Sequence, residues 1–508
     1  MSEISKNKQL IINMTASFIA VLINMGINLI LSPYIVENVG AEAYGFVQIG
    51  NNLIAYFSII TIALNSMASR FISISFFCKN LKEAREYYTS SFLANVIFCV
   101  VISPALMILI LNLEKVMNIS INLVADVKLL IAYMTLNFLI TLLGTNLGVS
   151  FYVKNKLYIS SFINILGYLL KAVSLLILFT FFNQKVAFVG LATLCATVFI
   201  QGCYIYYKRK LIPELYINKI YFCLEKIKTL ISSGIWNSIT RIGSLLQEGL
   251  DLIIADLLIS AEDMGILAVA KTIPIAINSL LGTLIASFMP NLTELYANNK
   301  KEELKNDIKQ SMKIIGMMIN IPIALLIGFG DVFYRLWVPS QNAELLQRLS
   351  IVTIAPWIVM GQATIIHNIF TVVNKIKINS LLVCFTGFLN VAIVYILLKN
   401  FHMGLFAVAG VSSVLSIARN LIYTVPFGAI YIKCPWYTFY PEIVKSIMAV
   451  TVTGSISFFL KNIMNGYSWG GLIGFGSMAG MVGFIFNYFV ILNKKDRNYI
   501  RNKIRRKG

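Results

Sequence analysis

Residues 40–45 read Gly-Ala-Glu-Ala-Tyr-Gly, and residues 260–265 read Ser-Ala-Glu-Asp-Met-Gly. The two stretches stand 220 positions apart, and the interval recurs in Ser160 with Ser380, Gly167 with Gly387 and Gly190 with Gly410. Each pair sits at a similar place in an apolar segment, a register that chance would not hold. The chain reads as an internal repeat of membrane segments.

Composition sets the class. The 508 residues are 58% hydrophobic and 13% charged, with a mean hydropathy of +0.78, which excludes a soluble globular protein. A spanning helix needs about 20 mostly apolar residues, and about fourteen such stretches can be placed between residues 9 and 492. The seventh runs over 231–258 and the eighth over 265–290. The repeat interval covers about six spans, an even number, so corresponding spans cross in the same direction and the repeats are parallel. The fold expected is an all-α integral membrane protein of two parallel six-helix lobes, related by a pseudo-twofold along the membrane normal, plus two extra C-terminal helices.

The lobes are expected at 1–207 and 231–433. An amphipathic cytoplasmic linker at 208–230 joins them, reading as a helix lying on the membrane surface. Helices 13 and 14 fill 434–493, and a basic tail occupies 494–508. The Ala41–Ala43 stretch imitates a signal-peptide cleavage site, but the preceding apolar run is too long and the loop recurs at Ala261.

Lys and Arg are retained in cytoplasmic loops. Of the 42, only Lys115, Lys128, Lys185, Arg335, Arg348, Lys399 and Lys461 fall on the outer side when the N-terminus is placed inside, and four lie within spans. Both termini are therefore expected in the cytoplasm, in a bacterial cytoplasmic (inner) membrane. The net charge of +20 is then topology, with the tail touching anionic headgroups; no nucleic acid partner is expected. The seven cysteines form no disulfide or metal pattern. Outer loops are short, leaving no room for the catalytic loop of a membrane glycosyltransferase or polymerase, and no phosphate-cradling motif is present. The chain is not expected to be an enzyme.

Polar residues inside spans mark candidate sites. Asn13, Ser17, Asn24 and Asn28 share one face of the first span, and Asn237, Arg241, Ser244, Glu248 and Asp251 one face of the seventh. At the repeat interval Ser17 matches Asn237, Asn24 matches Ser244 and Asn28 matches Glu248. Interhelical hydrogen bonds of about 0.6–2 kcal/mol account for many such Asn and Ser. A charge at the bilayer centre costs about 2.5–3.5 kcal/mol and needs a partner or water. Arg241, Lys271, Lys171 and Arg419 are such charges, with Lys271 at a depth to meet Glu248 or Asp251. Asn51 is the counterpart of Lys271. Four cations facing two acids point to a cavity that takes an anionic group. His367 and His402 are too far apart for a metal site.

The chain resembles the Wzx-type polysaccharide flippases of the multidrug, oligosaccharidyl-lipid and polysaccharide exporter superfamily. The resemblance is carried by Gly-Ala-Glu-Ala-Tyr-Gly at 40–45, Asp251-Leu-Ile-Ile-Ala-Asp256, Phe333-Tyr-Arg-Leu-Trp-Val-Pro339 and Cys434-Pro-Trp-Tyr-Thr-Phe-Tyr-Pro441. It implies transfer of an undecaprenyl-pyrophosphate-linked oligosaccharide, an O-antigen or other surface polysaccharide unit, from the cytoplasmic to the periplasmic leaflet by alternating access. Arg241, Lys271, Lys171, Arg419, Asn24, Asn28 and Asn51 are the matching candidates for the cationic cavity. Asp251 and Glu248 are the candidates for coupling to a Na+ or H+ gradient. No other cofactor is implied; the partners implied are membrane lipids, the lipid-linked glycan and other polysaccharide assembly proteins. A lipid II flippase, a multidrug exporter of the superfamily and a membrane enzyme of polysaccharide assembly remain alternatives.

Overall fold

The computed structural model describes residues 3–286, 288, 292, 295–296, 300–373, 375–464, 466–492 and 497, and among them there are helices and turns but no strand. The helices are α1 (Glu3–Val39), α2 (Ala41–Phe77), α3 (Leu81–Leu111), α4 (Leu113–Val116), α5 (Val124–Gly144), α6 (Val149–Val153), α7 (Leu157–Phe181), α8 (Ala187–Leu211), α9 (Leu224–Ser244) and α10 (Asp251–Leu258). There follow α11 (Ala261–Ala286), α12 (Lys301–Trp337), α13 (Ala343–Val372), α14 (Ile376–Phe401), α15 (Leu405–Arg419), α16 (Val425–Tyr431), α17 (Tyr440–Ile463) and α18 (Trp469–Val490).

Among the described residues twelve helices are long and apolar enough to cross a membrane, and α2 adds a thirteenth whose halves meet at 68°. Near that bend Ser58 Oγ donates to the Ala55 carbonyl at 2.7 Å and Thr61 Oγ1 to that of Ser58 at 2.9 Å, back-bonding that competes with the helix ladder and favours bending. The seventh expected span is helical from Leu224 to Leu258 but comes in three pieces. Arg241, Glu248 and Asp251 fall at or beside the break.

The repeat is visible in element boundaries. α2 and α11 begin at Ala41 and Ala261, α3 and α12 begin at Leu81 and Lys301, and α8 and α16 end at Leu211 and Tyr431. Each pair keeps the interval of 220, so local start and stop signals were duplicated along with the apolar runs.

Packing divides the chain into two compact units, Met1–Val269 with Ser380–Val391, and Ala270–Asn379 with Ala392–Gly508. The division does not fall at 208–230, because α9 packs along α2 inside the first unit. Gly234 permits this: a Cβ there would overlap the Ala63 carbonyl, and Ser238 Oγ donates to the Ile59 carbonyl at 2.8 Å. Small residues let membrane helices approach closely in this way.

The linker is not a surface helix. Residues 212–218 are irregular, Lys219–Tyr221 is a single 3-10 turn, and Ile212, Leu215 and Leu230 are fully buried against Ala84, Tyr87, Tyr88 and Val149. Arg85 clamps the segment, with Nε donating to the Glu214 carbonyl at 2.8 Å and the guanidinium centred 4.6 Å above the Tyr216 ring. Burying apolar linker residues in the unit outweighs the amphipathic pattern that suggested a helix on lipid.

In the second unit α17 and α18 pack against α12. Ser446 Oγ donates to Asn320 Oδ1 at 2.7 Å, Lys461 Nζ meets Asp331 Oδ2 at 2.6 Å, and Phe329, Leu460 and Ala479 form an apolar cluster. The last two helices are structural members of that unit. The basic tail at 494–508 lies outside the described residues apart from Arg497, which stands over the Phe489 ring at 5.2 Å. All seven cysteines are free.

Candidate functional site

The polar stripe of α1 separates into two parts. Asn13, 2% exposed, donates to Asn155 Oδ1 at 2.8 Å and accepts from the Tyr158 backbone at 3.1 Å, and Ser17 meets Ser161 at 3.1 Å. These bonds tie α1 to the turn before α7 and to α7, a packing role. Asn24 and Asn28 bond to each other at 3.2 Å and are half-buried, leaving amide capacity at a partly open face.

The other copy of this stripe is broken. Between α9 and α10 the backbone forms a π turn over Leu245–Gly249, with the Leu250 amide bonded back to the Leu245 carbonyl at 3.0 Å. A π turn inserts an extra residue into the helix and is common at functional sites. It rotates everything beyond it, so the face shared by Arg241, Glu248 and Asp251 in the sequence does not survive. Arg241 and Glu248 are exposed, whereas Asp251 is 2% exposed.

Two asparagines hold the turn. Asn390 of α14, fully buried, lies 3.2 and 3.3 Å from the Leu246 and Gln247 carbonyls, and Asn52 of α2 donates to the Gly249 carbonyl at 3.0 Å. Gly243 and Gly387 bring α9 and α14 together, since a Cβ on Gly387 would lie 2.6 Å from the Gly243 carbonyl oxygen. The candidate Asn51 is exposed and its neighbour Asn52 makes the structural bond. Asn390 was missed in sequence; the signal was an amide alone in the apolar run 381–398.

Lys171 is half-buried in α7. In the second unit Lys271 is 8% exposed in α11, and Arg419 is half-buried at the end of α15. Directly after Arg419 comes a second π turn, Asn420–Thr424. The Leu421 carbonyl there takes the Tyr440 hydroxyl, and Tyr423 stacks on Phe370 at 5.5 Å and on Phe427 at 4.8 Å. His367 bonds to Asn379 at 3.0 Å, the interhelical role. No cluster of His, Cys, Asp or Glu suited to a metal occurs among the described residues.

Both π turns fall in the second copy of the repeat. Their counterparts, residues 25–29 and 200–204, lie inside the unbroken helices α1 and α8. Arg241 and Arg419 replace Val21 and Phe199 at the matching positions. Charge and helix rupture therefore coincide, as expected where carbonyls freed from a ladder need polar surroundings.

Outside the spans, Glu114 and Lys226 are among the groups with shifted titration. The Lys128 ammonium, 2.5 Å away, holds the Glu114 carboxyl below its ordinary range. Burial lowers the Lys226 ammonium, but its hydrogen bond to Glu83 at 2.6 Å and the neighbouring charges outweigh this and hold it above the usual lysine range.

Residues 10–296 match the family described as polysaccharide biosynthesis protein. The chain is 27% identical over 496 residues to the uncharacterized membrane protein EpsK of Bacillus subtilis (strain 168), covering 97% of this chain and 98% of that one. It shares its fold with the lipid II flippase MurJ in an inward closed conformation, at TM-score 0.67 and 13% identity over 94% of this chain and 98% of that one. It also shares it with an inward-facing multidrug resistance MATE family transporter of the MOP superfamily, at TM-score 0.64 and 13% identity over 83% and 98%.

Proposed function

Since this chain belongs to the polysaccharide biosynthesis protein family, we propose that it is a flippase for undecaprenyl-pyrophosphate-linked oligosaccharide units, an O-antigen or another surface polysaccharide. It moves them from the cytoplasmic to the periplasmic leaflet of the inner membrane by alternating access, with both termini in the cytoplasm. The scarcity of Lys and Arg on the outer side, seven of 42 when the N-terminus is placed inside, supports this orientation.

One observation carries the reading: Arg241 and Glu248 are charged, exposed and midway along a ruptured span. At that depth such groups require water or a polar partner, because a charge facing hydrocarbon costs about 2.5–3.5 kcal/mol even on the lenient scale. Lys171 and Arg241 in the first unit, and Lys271 and Arg419 in the second, are cations suited to a pyrophosphate, which takes charge-assisted hydrogen bonds from Arg and Lys. Asn24, Asn28 and Asn51 add amide donors for sugar hydroxyls. Asp251 and Glu248 serve the Na+ or H+ gradient that drives the cycle. No chemistry on the substrate is involved.

In a strain lacking the gene, Arg241→Ala and Lys271→Ala are each expected to fail to restore surface polysaccharide while still inserting in the membrane. Lipid-linked units should accumulate on the cytoplasmic leaflet. If both variants restore polysaccharide fully, the cationic-cavity reading is wrong. Accumulation of unpolymerised units on the outer leaflet would instead indicate a polymerising enzyme. A block in peptidoglycan synthesis would indicate a lipid II flippase. The excess of cations disfavours an exporter of cationic drugs.

A further inference from the structure

Away from the spans' charged residues, the second unit holds an open cavity of about 160 Å3 where the start of α12 meets the end of α16. Lys300, Lys301 and Lys433 line it together with Tyr296 and Tyr431. The lysines come from segments more than 130 residues apart, so the fold and not local sequence gathers them. Glu303 draws Lys300 along the helix at 3.1 Å. Lys301 and Lys433 have no carboxylate partner among the described residues. Lys433 sits at φ 61°, a backbone conformation unfavourable to a side chain bearing a Cβ. The N-terminus of α12 has no side-chain cap and adds partial positive charge.

The repeat supplies an internal control. The first-copy counterparts of Lys300, Lys301 and Lys433 are Asn80, Leu81 and Pro213, and those of Tyr296, Leu304, Tyr431 and Ile432 are Phe76, Ala84, Leu211 and Ile212. Both copies bury the apolar floor of this place, Ala84 and Ile212 in the first and Leu304 and Ile432 in the second. Above that shared floor the first copy carries no lysine at the three positions and the second copy carries three. Packing needs do not account for three lysines there.

We infer that this cavity is a binding site for a phosphate-bearing group, a diphosphate or a phospholipid headgroup, held by Lys301 and Lys433 with Lys300 and the tyrosine hydroxyls. Ammonium groups act as point charges for phosphate, and Tyr hydroxyls donate to its remaining oxygens. The inference does not depend on what Arg241 or Lys271 binds.

The test uses the full chain purified in detergent, titrated with inorganic pyrophosphate, and the same protein in phosphatidylcholine nanodiscs with and without phosphatidylglycerol. The double variant K301Q/K433Q is expected to weaken pyrophosphate binding about tenfold or more, or to abolish the rise in melting temperature that phosphatidylglycerol produces. K305Q, on the same helix but not lining the cavity, should change either readout less than about twofold. K301R/K433R should retain binding and so separates loss of charge from damage to the fold. A lysine-dependent pyrophosphate titration identifies a soluble diphosphate as the ligand; lysine dependence confined to phosphatidylglycerol nanodiscs identifies a lipid headgroup. If K301Q/K433Q matches the unsubstituted protein with both probes, or K305Q loses as much, the inference is overturned.

Discussion

Gly45 and Gly265, the closing glycines of the two repeated loops, pack against each other. A Cβ on Gly45 would lie 3.0 Å from the Gly265 Cα, and a Cβ on Gly265 would lie 2.5 Å from the Ala41 carbonyl. The duplicated loop is thus a self-contact inside the first unit. Absence of a side chain at both glycines is what lets the backbones meet.

The two positions should respond differently to Ala. At Gly45 the nearest obstacle is the flexible end of Met264, whereas at Gly265 it is backbone. Gly265→Ala is expected to lower stability by about 1–3 kcal/mol, with Gly45→Ala well below that. Thermal melting of the two variants in one detergent compares them directly, and equal losses would contradict the contact.

Next to this contact, residues 118–120 are held by two carboxylates. Asp256, fully buried, accepts from the Asn118 backbone at 3.1 Å, and Glu42 accepts from the Ser120 backbone at 2.9 Å and its hydroxyl at 2.7 Å. Asp256→Ala should cost about 1–3 kcal/mol. Because one short loop carries both anchors, Glu42→Ala and Asp256→Ala should be non-additive by about 0.5 kcal/mol or more in a double-mutant cycle.

Asn390→Leu removes the donor facing the Leu246 and Gln247 carbonyls. Its expected cost is about 1–2 kcal/mol, and amide hydrogen exchange should accelerate selectively across 245–250. Protection unchanged there would mean that the π turn is held by other contacts.

Arg85→Lys keeps the charge but loses the planar group that reaches Glu214 and covers Tyr216, so it should not behave as conservative. Faster proteolytic cleavage within 212–223 is the expected sign. Protection from the Lys226–Glu83 pair should not vary between about pH 6 and 9. A lysine raised above its unfolded value of 10.5 contributes fully below that value and loses its contribution only as pH rises through the folded one. A loss of linker protection near neutrality would exclude this assignment.

The candidate site was only partly legible. Arg241, Glu248 and Asp251 stood out because charge in an apolar run is costly anywhere along the span. Their common face was inferred from 100° per residue, and five residues of π turn undo that geometry. Asn13 and Ser17 looked equivalent to Asn24 and Asn28, yet partners on and before α7, 142 to 145 residues away, make the first two structural.

By itself the sequence determined the helical class, the duplication and even helix ends, since apolar length and terminal residues act locally and were copied together. Tertiary structure alone decided that the linker is anchored through Ile212, Leu215 and Leu230, that α9 joins the first unit, and that lysines from distant segments of the second copy line one cavity. Those outcomes depend on which surfaces meet across hundreds of residues, and a period along one helix holds no record of its neighbour. Gly45 and Gly265 belong to both accounts: their repetition is read from the chain, and their contact exists only in the fold.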